Sequence, residues 1–273
     1  MSVTITAADI NKLRQTTGAG MLDCRKALTE SNGDFEAAID WLRKQGQKVA
    51  AKRSDREAKE GVVIAQTTAD NKSGIVLCIS CETDFVSKNT DFVAFAQSIA
   101  DAAIANNVKT AEELNGVAVN GSTVAELIND KLAAIGEKIA ISKFERVDAP
   151  YVASYIHGAN RMGVLVSMTK EAAEAGKDVA MQIAAMNPLA VDESSISPET
   201  IAREKEIAIE QIKAEGKPAE MAEKIAMGKV NKFFKENTLL AQAFVKDNSK
   251  SVADYLKSVD ADLKVTDFKR VAL

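Results

Sequence analysis

Ile139-Ala-Ile-Ser-Lys-Phe-Glu-Arg-Val147 and Leu263-Lys-Val-Thr-Asp-Phe-Lys-Arg-Val271 are the two stretches that decide the fold. At a constant offset Phe144 meets Phe268, Arg146 meets Arg270 and Val147 meets Val271. Each stretch closes a run built in the same order. Before the first lie the β-rich segments Val62-Val-Ile64 and Ile75-Val-Leu-Cys-Ile79, parted by the turn cluster Ala69-Asp-Asn-Lys-Ser-Gly74. A polar loop follows, Glu82 to Thr90. Then come a helix with Phe92, Phe95, Ile99 and Ala103 in phase and another with Val124, Leu127, Ile128, Leu132 and Ile135. Before the second closing stretch lie strands Tyr151 to Ile156 and Val164 to Met168 around Gly158-Ala-Asn-Arg161, then the helical run Val179 to Ala185. Chance likeness of short strands is the alternative. A two-fold internal duplication of an α+β unit explains the shared order more simply.

Two further pieces flank or interrupt the repeat. Over 192–236 the second unit carries an insertion. Ser197-Pro198-Glu199 starts a helix with Pro at its first position. Ile201, Ala208 and Ile212 line one side, Gly216-Lys217-Pro218 turns the chain, and Met221, Ile225 and Gly228 return. This predicts an antiparallel helical hairpin. Its thin apolar stripe serves either to join its own arms or as a face for a partner or a second copy. Residues 6–50 read as three short helices. Thr6 caps the first, with Asp9 at the capping-box position and Ile10 and Leu13 on one face. Met21, Cys24, Ala27 and Leu28 form the second stripe. Asp34 caps a third helix carrying Phe35, Ala38, Ile39 and Leu42. The expected division is 1–56, 57–147 and 148–273. The charged run 43–60 joins the first two as a solvated linker or the end of helix three; its acidic residues argue against an RNA-binding patch.

Composition narrows the function. The chain has 273 residues, enough for two or three domains, with 46% apolar and 5% aromatic residues. The net charge of −4 shows no basic footprint for nucleic acid, so a protein partner is expected instead. No apolar run approaches the ~20 residues of a membrane span. Met1 to Asp9 lacks the basic start and apolar core of a signal peptide. The three cysteines then read as reduced, cytosolic thiols, and a cytoplasmic location is expected.

Candidate chemistry is sparse. Cys78-Ile-Ser-Cys81 is a C-x-x-C, but Cys78 falls in a strand. Residues three apart there face opposite ways, so two buried thiols are expected rather than a redox pair. His157 is the only histidine, so a His-rich metal site is excluded, and no nucleophile elbow accompanies it. On its own pattern it is a turn residue. Gly18-Ala-Gly20 follows a helix and lacks the Gly-Lys-Ser/Thr ending of a phosphate loop. No catalytic residue, metal ligand or cofactor site is expected. Thr83-Asp-Phe-Val86 differs in kind: Phe85 in a polar loop is either a plug for the core or a wedge for a partner's pocket.

These pieces resemble one family, elongation factor Ts. Thr17-Gly-Ala-Gly-Met-Leu-Asp-Cys-Arg-Lys-Ala-Leu28 followed by Asn32-Gly-Asp34 is similar to its N-terminal signature, and Glu82-Thr-Asp-Phe-Val86 to its exchange loop. Tyr155-Ile-His-Gly158 with Gly163-Val-Leu-Val166 is similar to a third signature. Ile183-Ala-Ala-Met-Asn-Pro188 and Gly216-Lys-Pro218 also fit. The resemblance implies a guanine-nucleotide exchange factor for elongation factor Tu, without catalytic chemistry of its own. It also implies a ubiquitin-associated-like three-helix module, then two related subdomains with a coiled-coil insertion. By the same resemblance Thr83, Asp84, Phe85 and Val86 enter the GTPase near its magnesium, with Phe85 as a wedge. His157 and Gly158, from the matching place in the second unit, support that contact. Leu13, Met21 and Leu22 are the apolar docking positions of the N-terminal module, and the second subdomain holds the partner's β domains. Some members carry a further C-terminal module, whose contacts are not carried over to a sequence ending at Leu273.

Overall fold

The computed structural model describes residues 4–53, 55–214 and 219–273. The N-terminal module is α1 (Ala7–Thr17), α2 (Met21–Glu30) and α3 (Phe35–Lys52). Thr6 and Asp9 form a reciprocal capping box at the start of α1. The Asp34 carboxylate accepts the Ala37 N–H at 2.9 Å. Ile10, Leu13, Cys24, Ala27, Leu28, Ala38 and Leu42 close the bundle's small core. The run 43–60 is not a free linker. Its first part is the last turns of α3, and beyond them Arg53 and Arg56 pair with Glu82 at 2.7 and 3.1 Å.

The rest of the chain is α+β. In the first unit β1 (Glu60–Thr67) and β2 (Ser73–Cys81) form a hairpin. After it come α4 (Asp84–Ser87), α5 (Thr90–Ala105), α6 (Ala111–Asn115), a two-residue hairpin β3 (Ala118–Val119) and β4 (Ser122–Thr123), and α7 (Val124–Ile135). Strand β5 (Ala140–Asp148) then pairs with β2, giving the order β1-β2-β5. The second unit repeats this. Strands β6 (Tyr151–His157) and β7 (Met162–Met168) precede α8 (Ala173–Met186). A hairpin, β8 (Ala243–Phe244) and β9 (Asp247–Ser251), leads into α11 (Val252–Val259), and β10 (Val265–Ala272) pairs with β7. The likeness extends further than the strands. Both α7 and α11 open on a capping box, Thr123 with Glu126 and Ser251 with Asp254.

The two sheets pack face to face. Val63, Ala65, Val76, Cys78, Val147, Val152, Leu165 and Val271 fill the space between them. Each outer face carries its own helices: Phe92, Ile99 and Leu132 cover the first sheet, and Val179, Ile183 and Leu256 the second. Glycine is required where the sheets come closest. A Cβ on Gly74 would lie 2.9 Å from Val152 Cγ1, and one on Gly163 would lie 2.9 Å from Val63 Cγ1.

The insertion is a helical hairpin of α9 (Pro198–Ala214) and α10 (Ala219–Asn237). Ala208, Ile212 and Ala226 are buried between its arms. Of the expected stripe on the returning arm, Ile225 packs against this cluster. Ala226 and Val230 are buried, whereas Gly228 is exposed and Ile225 only partly covered. Gly216-Lys217-Pro218 and the side chain of Met221 lie outside the described residues. Among the described residues no helix is long and apolar enough to cross a membrane.

Candidate functional site

The segment after β2 is not a plain loop. The ladder between β2 and β5 ends at Ser80 and Ala140. Beyond it Thr83 is extended (φ −124°, ψ 154°) and caps the four-residue helix α4. Its side chain makes no capping bond to the helix; its hydroxyl donates instead to Glu137 Oε1 at 2.6 Å. The Glu137 carboxylate also accepts the Glu82 and Thr83 N–H groups at 3.1 and 3.0 Å. In return Glu82 accepts the Lys138 N–H at 2.7 Å. That bond, with the Arg53 and Arg56 guanidinium groups, brings the Glu82 carboxyl down to about 2 against the opposing effect of burial.

On this base α4 sorts its side chains. Ser87 is buried and Val86 packs against the core of the first unit. Asp84 pairs with Lys88 one turn on, at 2.6 Å, which holds its carboxyl below the usual range. Phe85 is 85% exposed. It is a projecting aromatic rather than a core plug. A groove of about 760 Å³ runs from Phe85 past Phe95 and Leu127 to Thr16 and Gly18 of the N-terminal module.

The other expected residues separate into three places. His157 ends β6 exposed, its Nδ1 3.0 Å from the Tyr155 hydroxyl. Gly158 begins the following turn with φ +61°. Strand registers pair Thr67 with Gly74 and Ile156 with Gly163, so the repeat's counterpart of His157 is Thr68, not the Phe85 segment. The tie between the two is spatial instead. Arg161, from the same turn, bonds Glu60 at 2.7 Å and lies within electrostatic reach of Asp84. Met21 and Leu22 stand exposed, at 46% and 81%, on the first turn of α2. Leu13 does not join them. It is fully buried in the bundle, where the α1 face meets α2 and α3, and offers no surface.

Cys78 and Cys81 point to opposite faces of β2, one between the sheets and one under the helices. Burial raises both thiols, and for Cys81 burial with the nearby Glu137 and Glu60 charges brings the value to about 12. Among the described residues no group of three or more His, Cys, Asp or Glu is placed to hold a metal. Glu137 and Arg161 went unmarked in the sequence. Glu137 sits in a helix-to-strand turn with its partners more than 50 positions away, and nothing local signals that.

The arrangement defines a class: an α+β protein that presents one exposed aromatic side chain on a short segment braced by ionic contacts. The sequence profile described as Elongation factor TS matches residues 82–273. The chain is 52% identical to elongation factor Ts of Flavobacterium psychrophilum and 51% to that of Christiangramia forsetii, over 99% and 98% of each chain. It is 45% identical to elongation factor Ts of Clostridium perfringens over 97% of this chain and 92% of that one. The chain belongs to the elongation factor Ts family, and its work is that of a translation elongation factor of this kind.

Proposed function

We propose that this chain binds GDP-bound elongation factor Tu, dislodges its magnesium and so promotes GDP release, acting without bond chemistry of its own. The observation that carries the reading is Phe85: a phenyl ring 85% exposed, on a segment otherwise tied down, inside the family's exchange-loop pattern. Thr83 to Val86 is the dislocating loop, and His157 and Gly158 stand on the turn that buttresses it. Met21 and Leu22 are the docking contacts of the N-terminal module. The units 1–56, 57–147 and 148–273 divide the work, the third holding the partner's other domains. The hairpin within 192–236 is available for self-association. The partner is reached in the cytoplasm, with no nucleic acid or membrane in the contact.

Linkage supplies the mechanism. An exchange factor that binds nucleotide-free partner better than GDP-bound partner weakens GDP by the same factor. A weakening of ~10⁴-fold needs about 5.5 kcal/mol of differential binding. Magnesium screens the diphosphate, so unseating it supplies much of that. Burying a phenyl ring that starts in water adds about 1.5–3 kcal/mol. The test is release of fluorescent GDP from elongation factor Tu with catalytic amounts of this protein. Fast release at substoichiometric levels is expected. Binding without acceleration would leave a scaffold and overturn the reading.

A further inference from the structure

Phe85 has little to hold it. A helix of four residues does not sustain itself in water, and a ring 85% exposed gains little orientation from contacts of its own. Its direction is set from both sides. Downstream, Ser87 and Val86 pack inward. Upstream, the main chain is fixed at Thr83 by a clasp that continues the β2–β5 pairing after the ladder ends. Each strand's extension lends a carboxylate to the other's main chain: Glu137 to the N–H groups of Glu82 and Thr83, and Glu82 to that of Lys138. Ionised acceptors form the stronger class of hydrogen bond. Arg53 and Arg56 supply positive charge to a site where two carboxylates lie close together.

We propose that Glu137, backed by Glu82, is a positioning residue for exchange: it fixes Thr83 so that Phe85 stands presented before the partner arrives. This rests on Phe85 being the exchange wedge. Without the clasp the root of the loop samples other conformations, and only a fraction of molecules present the ring. Apparent affinity then falls by that fraction, while a loop that has bound acts as before. Glu137 therefore acts on the Michaelis constant for the GTPase, whereas Phe85 acts on the maximal rate.

The experiment measures GDP release from elongation factor Tu over a range of GTPase concentrations, alongside amide hydrogen exchange of the free protein. Glu137→Ala is expected to raise KM about 10- to 30-fold with kcat within about twofold, and to strip protection from the Glu82 and Thr83 amides while the sheets keep theirs. Glu137→Gln, which keeps an acceptor oxygen for the two N–H groups, should recover most of the KM. Loss of protection with KM unmoved overturns the proposal, as does a raised KM with both amides still protected. Should Glu137→Ala fail to fold, Thr83→Val decides. It removes only the hydroxyl contact and is expected to raise KM about threefold; an unchanged KM overturns the proposal. A wild type that does not accelerate release sinks the wedge reading itself, and this proposal with it. An active wild type with an equally active Glu137→Ala sinks the clasp alone.

Discussion

Asn71 and Asn160 hold the same place in the two hairpins, and each accepts through its main-chain carbonyl the N–H of a valine in the other unit's first strand. Val152 donates to Asn71 at 2.6 Å and Val63 to Asn160 at 2.7 Å. Both asparagines take left-handed backbone, φ 53° and 65°, a conformation that their short polar side chains tolerate. The contacts are reciprocal because the units are related by an approximate two-fold axis between the sheets. Its consequence reaches the site. The turn carrying His157 and Arg161 is fixed to β1, and so to the Asp84–Phe85 segment beside it.

The same relation makes Gly74 and Gly163 equivalent and equally intolerant. A methyl on either would meet the opposing sheet at 2.9 Å, and a packed core yields to such an intrusion at a cost of about 1–3 kcal/mol. Gly74→Ala and Gly163→Ala are each expected to lower stability by about that amount. Urea unfolding followed by circular dichroism measures it. A loss much larger for one than for the other would argue against the symmetry.

Phe85→Ala should behave in the opposite way. The ring is in water, so its removal is expected to leave stability within about 0.5 kcal/mol. Exchange should fall by about tenfold or more if a phenyl burial worth ~1.5–3 kcal/mol is lost. Stopped-flow GDP release with a matched melting curve separates the two. Exchange at the wild-type rate while the complex still forms would remove Phe85 from the mechanism.

What was legible in the sequence was what is local or repeated. The Thr6–Asp9 box, the turn residues and the matching closing strands are short-range patterns, and they gave the α+β class and the duplication. The packing of sheet on sheet was not legible. Ile75 to Ile79 is a continuous apolar run, which says that both faces of β2 are covered but not by what. The four residues of α4 are too few to show a period, so they passed for loop. On α10 the buried residue of the seam is Ala226, less conspicuous than Ile225 beside it. The site was divided in the same way. Phe85 was marked by its chemistry, but its exposure is a tertiary fact. Leu13 carried a familiar pattern, yet its place is the bundle core. Glu137 acts across the fold and left no local trace.

The C-x-x-C supplies a prediction against redox chemistry. All three cysteines are buried, and the Cys81 thiol, raised to about 12, holds its proton at any physiological pH. A thiol in that state is a poor nucleophile. Folded protein at pH 8 is expected to react only slowly with a thiol-specific disulfide reagent, and rapidly with three equivalents once unfolded in guanidinium. Fast modification of one or two thiols in the folded state would show that β2 opens or that the pair is accessible.

The brace at Glu82 predicts the direction of a pH effect. Its folded value, about 2, lies below the ordinary 4.5 because the Lys138 N–H and two arginines favour the ionised form. Above 4.5 both folded and unfolded chains carry the charge, and the contribution to stability is complete. As pH falls below 4.5 the unfolded chain takes up the proton first, so the contribution shrinks, and it is gone near pH 2. Glu82→Gln should therefore be less stable than wild type at pH 7 and lose less between pH 5 and 2.5. The urea midpoints of the two should converge at the acid end. Parallel curves over that range would mean that Glu82 titrates normally and that neither the Lys138 N–H nor the arginines favour its ionised form.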